Sequence, residues 1–141
     1  MTSITNMAAG QESLGEKSDW FTVLAPEALS HATRTSEKFL TKKAKGILIH
    51  VRTDDEANTA SFTPKILVPG GDTTGADIAL FTFTAISASG NNLLVVEPNG
   101  AADMGTENLA GTLPREWKFE LTFGGADTTH QMDTEVYARY I

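Results

Sequence analysis

Cysteine is absent from all 141 residues, which excludes disulfides, thiolate metal sites and thiol catalysis. Positive charge is scarce as well: 11 Lys and Arg stand against 18 Asp and Glu, for a formal net charge of −7. Phosphate contacts need a basic surface, so this balance argues against nucleic-acid binding; an acidic excess mainly favours solubility. Long apolar runs are also missing, and nothing approaches the ~20 consecutive apolar residues of a membrane-spanning helix. Met1 to Gly15 carries neither a basic residue nor an apolar run and does not read as a secretory signal. The expectation is a soluble protein of a cell interior, or of a particle assembled there, with no membrane and no nucleic-acid partner.

What the chain does contain is alternation. Trp117, Phe119, Leu121 and Phe123 fall at every second position, with Lys118, Glu120 and Thr122 between them. Successive strand side chains point to opposite faces, so this segment predicts a strand with one buried aromatic face and one wet face. Pro114 suits the approach to such a strand but not its middle, because it lacks the ladder N–H. A second apolar-aromatic segment, Val136 to Ile141, reads as a tied-down strand. Hydrophobic residues make up 40% of the chain, enough to argue against wholesale disorder. The length suits one domain with a real core.

Residues 1–17 are small and polar, with Ile4, Met7 and Leu14 scattered without period, and read as a flexible N-terminal arm. Residues 18–141 are the folded domain. Within it, Asp19–Leu24 reads as a first strand, and Pro26–Leu29 as one helical turn with proline at its start. Lys38–Leu40 is a short strand candidate. Gly46–Arg52 is a longer one, with Ile47, Ile49 and Val51 on one face and His50 on the opposite one. Asp54–Asn58 reads as a charged turn. Ser61–Val68 alternates with Phe62, Ile66 and Val68 on one side, and Pro64 inside it predicts an edge strand or a bulge. Pro69–Gly75 is a turn rich in breakers. Ala76–Ala88 is the longest β-prone run, and Ser89–Asn92 reads as a hairpin into Leu93–Val96. Pro98–Thr112 reads as a loop of small residues. With no internal repeat and no βαβ rhythm, the pattern predicts an all-β, antiparallel sandwich, jelly-roll or immunoglobulin-like, of about seven or eight strands.

Few constellations suggest chemistry. Asp54, Asp55 and Glu56 are oxygen ligands of the type a hard cation takes, yet EF-hand spacing is missing and an acidic hairpin tip is usually just solvated. Gly70–Gly75 has the glycines of a phosphate cradle but neither the following Lys-Ser/Thr nor a helix, so a turn needing positive φ is the better reading. His31, His50 and His130 are the only histidines, and no nucleophile elbow accompanies them. The sequence therefore predicts no enzyme, no metal site and no cofactor. The clearest signal is electrostatic. Arg34, Lys38, Lys42, Lys43, Lys45 and Arg52 crowd into residues 34–52 against the single acid Glu37. Each lysine alone reads as edge protection; together the six predict a docking patch for an acidic partner surface.

At Leu113–Trp117 (Leu-Pro-Arg-Glu-Trp), at Gly125-Ala-Asp127 and at the closing Tyr137–Ile141, the chain resembles a family of small virion-associated proteins of tailed bacteriophages. Members commonly carry a Leu-Pro-Arg-x-Trp strand, a Gly-Asp-Ala-Asp-like turn and a terminal aromatic strand. The likeness spans residues 34–141; the turn here reads Gly-Gly-Ala-Asp. The resemblance implies a structural virion protein that decorates or cements a capsid. Its partner would be the major capsid protein or another virion protein, and it would act as a homo-oligomer, expected to be a trimer. It supplies no catalytic residues. Two alternatives stay open: a tail or head–tail component, and a sandwich module that binds carbohydrate or a host surface. The latter needs a solvent-facing aromatic platform, for which Trp20, Tyr137 and Tyr140 are the eligible residues.

Overall fold

A computed structural model describes residues 19–54, 60–99, 105–124 and 131–141; the expected arm over residues 1–17 lies outside them. The described chain is all β, with ten strands in two sheets and no helix. In chain order they are β1 (Phe21–Ser30), β2 (Arg34–Thr35), β3 (Phe39–Leu40), β4 (Ile47–Asp54), β5 (Phe62–Val68), β6 (Ile78–Thr82), β7 (Gly90–Glu97), β8 (Glu107–Ala110), β9 (Glu116–Phe123) and β10 (Met132–Tyr140). One sheet runs β1-β10-β4-β7-β8. The other runs β2-β9-β5-β6, with β3 also pairing β9. This is the expected sandwich, and eight of its strands are four residues or longer.

The core lies where alternation predicts it. Trp117, Phe119 and Leu121 of β9 and Ile47, Ile49 and Val51 of β4 are fully buried and belong to one cluster, which Phe62, Ile66, Leu94, Met132 and Val136 join among others. Phe123 packs on its margin, 5.4 Å from Phe62 between ring centroids. Trp117 is also held by polarity. Its indole N–H donates to the Tyr140 hydroxyl (3.1 Å), which in turn donates to the Leu40 carbonyl (2.7 Å), so one hydrogen-bonded chain crosses β9, β10 and β3.

Four expectations need correcting. Pro26–Leu29 is not a helical turn but the continuation of β1. Its pairing with β10 shifts register three times between Thr22 and Ser30, and Leu29, at φ 50°, donates its N–H to Asp133 Oδ1 (2.7 Å). Such irregularities let an edge strand carry proline and resist pairing with strangers. Pro64, second, lies in a strand flanked by β9 and β6 rather than at an edge. The sheet accommodates it because regular β6 stops at Thr82: Phe83 N–H still donates to Pro64 O (2.9 Å), and pairing resumes at the Phe62–Ile86 bridge. The bulge is on β6, where Leu80 is the extra residue between Ile66↔Phe81 and Leu67↔Ala79; Leu67 is buried and Val68 is not.

Third, Ser89–Asn92 is no hairpin turn between Ala76–Ala88 and Leu93–Val96; Gly90–Asn92 already belong to β7. The chain leaves β6 and crosses to the other sheet, where β7 pairs antiparallel with β4. Fourth, the Pro98–Thr112 stretch holds β8, which pairs parallel to β7 from Leu94↔Glu107 to Glu97↔Ala110. It is the one parallel pair among the described strands.

Candidate functional site

The six cations singled out in the sequence fall in three places. Arg34 faces inward between the sheets, its side chain 14% exposed. Its guanidinium donates to Thr134 Oγ1 (2.9 Å), Thr134 O (3.2 Å) and Ala25 O (2.8 Å) and pairs with Glu27 at 2.8 Å. It clamps β2 to β1 and β10 across the open side of the sandwich. Arg34→Ala leaves two carbonyls and a carboxylate without their charged donor, and is expected to cost about 2–3 kcal/mol. Thermal melts of Arg34→Ala and Arg34→Lys against the parent check this; a melt unchanged in both would show that the clamp adds nothing.

Arg52 stands on the outer face of β4, 3.7 Å from Glu135 on β10. The remaining four gather at one end of the sandwich. Lys38 precedes β3 and reaches Glu116 at 3.7 Å. Lys42, Lys43 and Lys45 are exposed on the β3–β4 connection. That connection is a tight turn closed by Ala44 N–H to Thr41 O (3.2 Å), with Lys42 left-handed at φ 58°. The Thr41 N–H donates to Arg115 O (3.0 Å) and the Thr41 hydroxyl to Pro114 O, while Lys45 and Gly46 N–H both donate to Ile141 O. Arg115, missed as a member of this group, is thereby brought beside the lysines, as are the exposed Leu40 (50%) and Ile141 (43%). The segments carrying the four lysines and Arg115 thus meet those carrying Leu40 and Ile141, with Glu37 and Glu116 among them. This meeting could have been foreseen only by aligning β3 with the start of β9.

The glycine-rich loop after β5 offers no anion cradle. Gly70 and Gly75 take positive φ as a turn requires, but the loop's own carboxylates use its amides. Asp72 Oδ1 accepts from Thr74 N (2.7 Å), Thr74 Oγ1 (2.7 Å) and Ala76 N (2.8 Å), and Asp77 accepts from Gly70 N (3.0 Å) and Lys118 Nζ (3.0 Å). The Thr74 hydroxyl and the loop amides hold the Asp72 carboxyl below its usual range; the Gly70 N–H and Lys118 do the same for Asp77. Asp54 accepts from Ser89 Oγ (3.2 Å), while Asp55, Glu56 and His130 lie outside the described residues. Among the described residues no three His, Asp or Glu side chains are placed to hold a metal ion.

The aromatics separate. Tyr140 is turned into the Trp117 hydrogen-bonded chain and lies against Phe21 at 5.3 Å; burial pushes its hydroxyl pKa up. Trp20 and Tyr137 instead share the outer face of the β1-β10-β4 sheet with His50. The Tyr137 hydroxyl donates to Glu135 Oε1 (2.7 Å), and this bond, with burial and the nearby carboxylate charge, raises its pKa. Comparison of the chain with protein-family models, curated proteins and solved structures found no match.

Proposed function

We propose that the protein is a structural component of a tailed-phage virion, decorating or cementing the capsid as a homo-oligomer. The reading begins from the resemblance carried by Leu113–Trp117 and Tyr137–Ile141. Its main support is the basic end. On a chain of net charge −7, five of the 11 Lys and Arg (Lys38, Lys42, Lys43, Lys45 and Arg115) lie on segments that backbone hydrogen bonds bring together with those of exposed Leu40 and Ile141. Apolar side chains inside a charged rim are what a protein interface uses: the centre supplies affinity, the rim steers and orients. An acidic surface on the shell is the complementary partner. A cement protein that binds only the assembled shell stabilises that state by mass action.

Replacing Lys42, Lys43 and Lys45 together by Glu is expected to abolish attachment to particles while the isolated domain melts as the parent does. Added salt should weaken the parent's attachment, because exposed charges are screened. Copy number per particle, compared for parent and triple variant at low and high salt, provides the check. Equal occupancy under all four conditions would remove the basic end from the contact.

A further inference from the structure

The outer face of the β1-β10-β4 sheet carries a row of aromatic side chains that the core does not use. Tyr137 and His50 are direct cross-strand partners, and their rings stack at 6.4 Å and 28°. Trp20, immediately before β1, meets His50 edge-on at 6.3 Å and 68°. Because β10 lies between β1 and β4, Trp20 must span two strand spacings, about 10 Å, to reach His50. The indole therefore reaches inward over the sheet toward β4, and 37% of Trp20 stays exposed.

Polar groups flank the row. His50 Nε2 is hydrogen-bonded to Asn91 Oδ1 (2.9 Å), and Glu135 accepts from the Tyr137 hydroxyl while facing Arg52 at 3.7 Å. On the other side, Arg139 faces Asp19 at 3.8 Å. All but Asp19 and Trp20 are on strands, which hold a site more firmly than loops do.

We infer that this face binds a neutral hexopyranose chain. A pyranose ring has a face of C–H bonds that packs on an aromatic ring, and hydroxyls around its edge that pair with amides, carboxylates and guanidinium groups. The face supplies both, in adjacent positions. Charge decides the class of sugar. Arg52 and Glu135 offset one another, Arg139 and Asp19 do likewise, and the molecule as a whole carries −7; a polyanionic saccharide is repelled. The inference does not depend on the virion reading, and the face shares no residue with the Lys42–Lys45 turn.

The test titrates the full chain with maltohexaose, with chitohexaose and with the anionic hexagalacturonate, by calorimetry and tryptophan fluorescence. The chain has two tryptophans, and Trp117 is fully buried, so a ligand-induced emission change reports Trp20. Binding of a neutral hexasaccharide is expected, with an emission shift. Trp20→Ala or Tyr137→Ala should weaken it about tenfold, the worth of one good aromatic contact, and Trp20→Phe should recover most of the loss. The triple lysine variant should bind sugar as the parent does. No binding of either neutral probe overturns the proposal, as does binding that survives Trp20→Ala, or a preference for hexagalacturonate. A change in oligomeric mass on Trp20→Ala, with flat saccharide titrations, would assign the face to contact between copies instead.

Discussion

Trp117→Ala should lower stability by about 3–5 kcal/mol, the range for emptying a large aromatic site in a packed core. The side chain is fully buried among residues from both sheets and packs 4.9 Å from Phe39. Its loss also removes the indole N–H from the Tyr140 hydroxyl, which retains only the Leu40 carbonyl. In a chain of this length the midpoint of thermal unfolding should fall on the order of 10 °C. Two further substitutions divide the effect. Trp117→Phe keeps most of the ring and loses the hydrogen bond, and Tyr140→Phe keeps the indole and loses both bonds of the hydroxyl; each should cost about 1–2 kcal/mol. Should Trp117→Ala melt with the parent, the aromatic face of β9 does not belong to the core.

The second large effect is expected at Gly46, a residue whose role lies in what it leaves empty. A methyl group there would run into the Val96 carbonyl oxygen, with Glu97 Cβ and Cα within 3.0 and 3.1 Å. These are main-chain and near-main-chain atoms, held by the β4–β7 ladder that begins at Ile47↔Val96, so no side-chain rotation relieves the clash. Gly46 also exchanges both backbone hydrogen bonds with Ile141. The sheet must open at the junction of β7, β4 and β10, and Gly46→Ala should cost about 2–3 kcal/mol. Urea unfolding checks this: the midpoint should fall with the slope unchanged. The adjacent, exposed Lys45→Ala serves as control and should stay within about 0.5 kcal/mol of the parent. Equal midpoints for Gly46→Ala and Lys45→Ala would mean the two strands are not packed this closely.

Both effects fall where the sequence is easiest to read. Every-second-residue burial in β4 and β9 follows from the strand period alone, so Ile47, Ile49, Val51, Trp117, Phe119 and Leu121 were legible as core. What stayed hidden depends on distant partners. Glu-Asn-Leu-Ala has no β pattern of its own, and β8 exists because β7 offers an unpaired side. Pro26–Leu29 follows β10 as an irregular strand because β10, through its backbone and the Asp133 side chain, takes up its hydrogen bonds, and local propensity cannot report that. The candidate sites divide in the same way. The lysines were visible as a cluster, but nothing in residues 34–52 distinguishes Arg34, whose partners include Thr134, from its exposed neighbours. Trp20 and Tyr137 were recognisable as outward aromatics; that His50 joins them follows only from the β4–β10 register.

The position of β10 also constrains the order of assembly. It is the last of the described strands, yet it sits between β1 and β4, which precede β5 to β9. Until it arrives, both of those strands have a bare edge, and every pairing that completes the sheet must close a long loop. Loop entropy is paid before any contact returns it, so folding should take milliseconds to seconds, as for other sandwiches built from distant pairs. During that interval β4 is the exposed liability, with Ile47, Ile49 and Val51 in a single strand and no proline to deter a stray partner. β1, by contrast, already carries Pro26 and its irregular backbone. The nascent chain is therefore most vulnerable to aggregation along one side of β4, the side that β10 later covers.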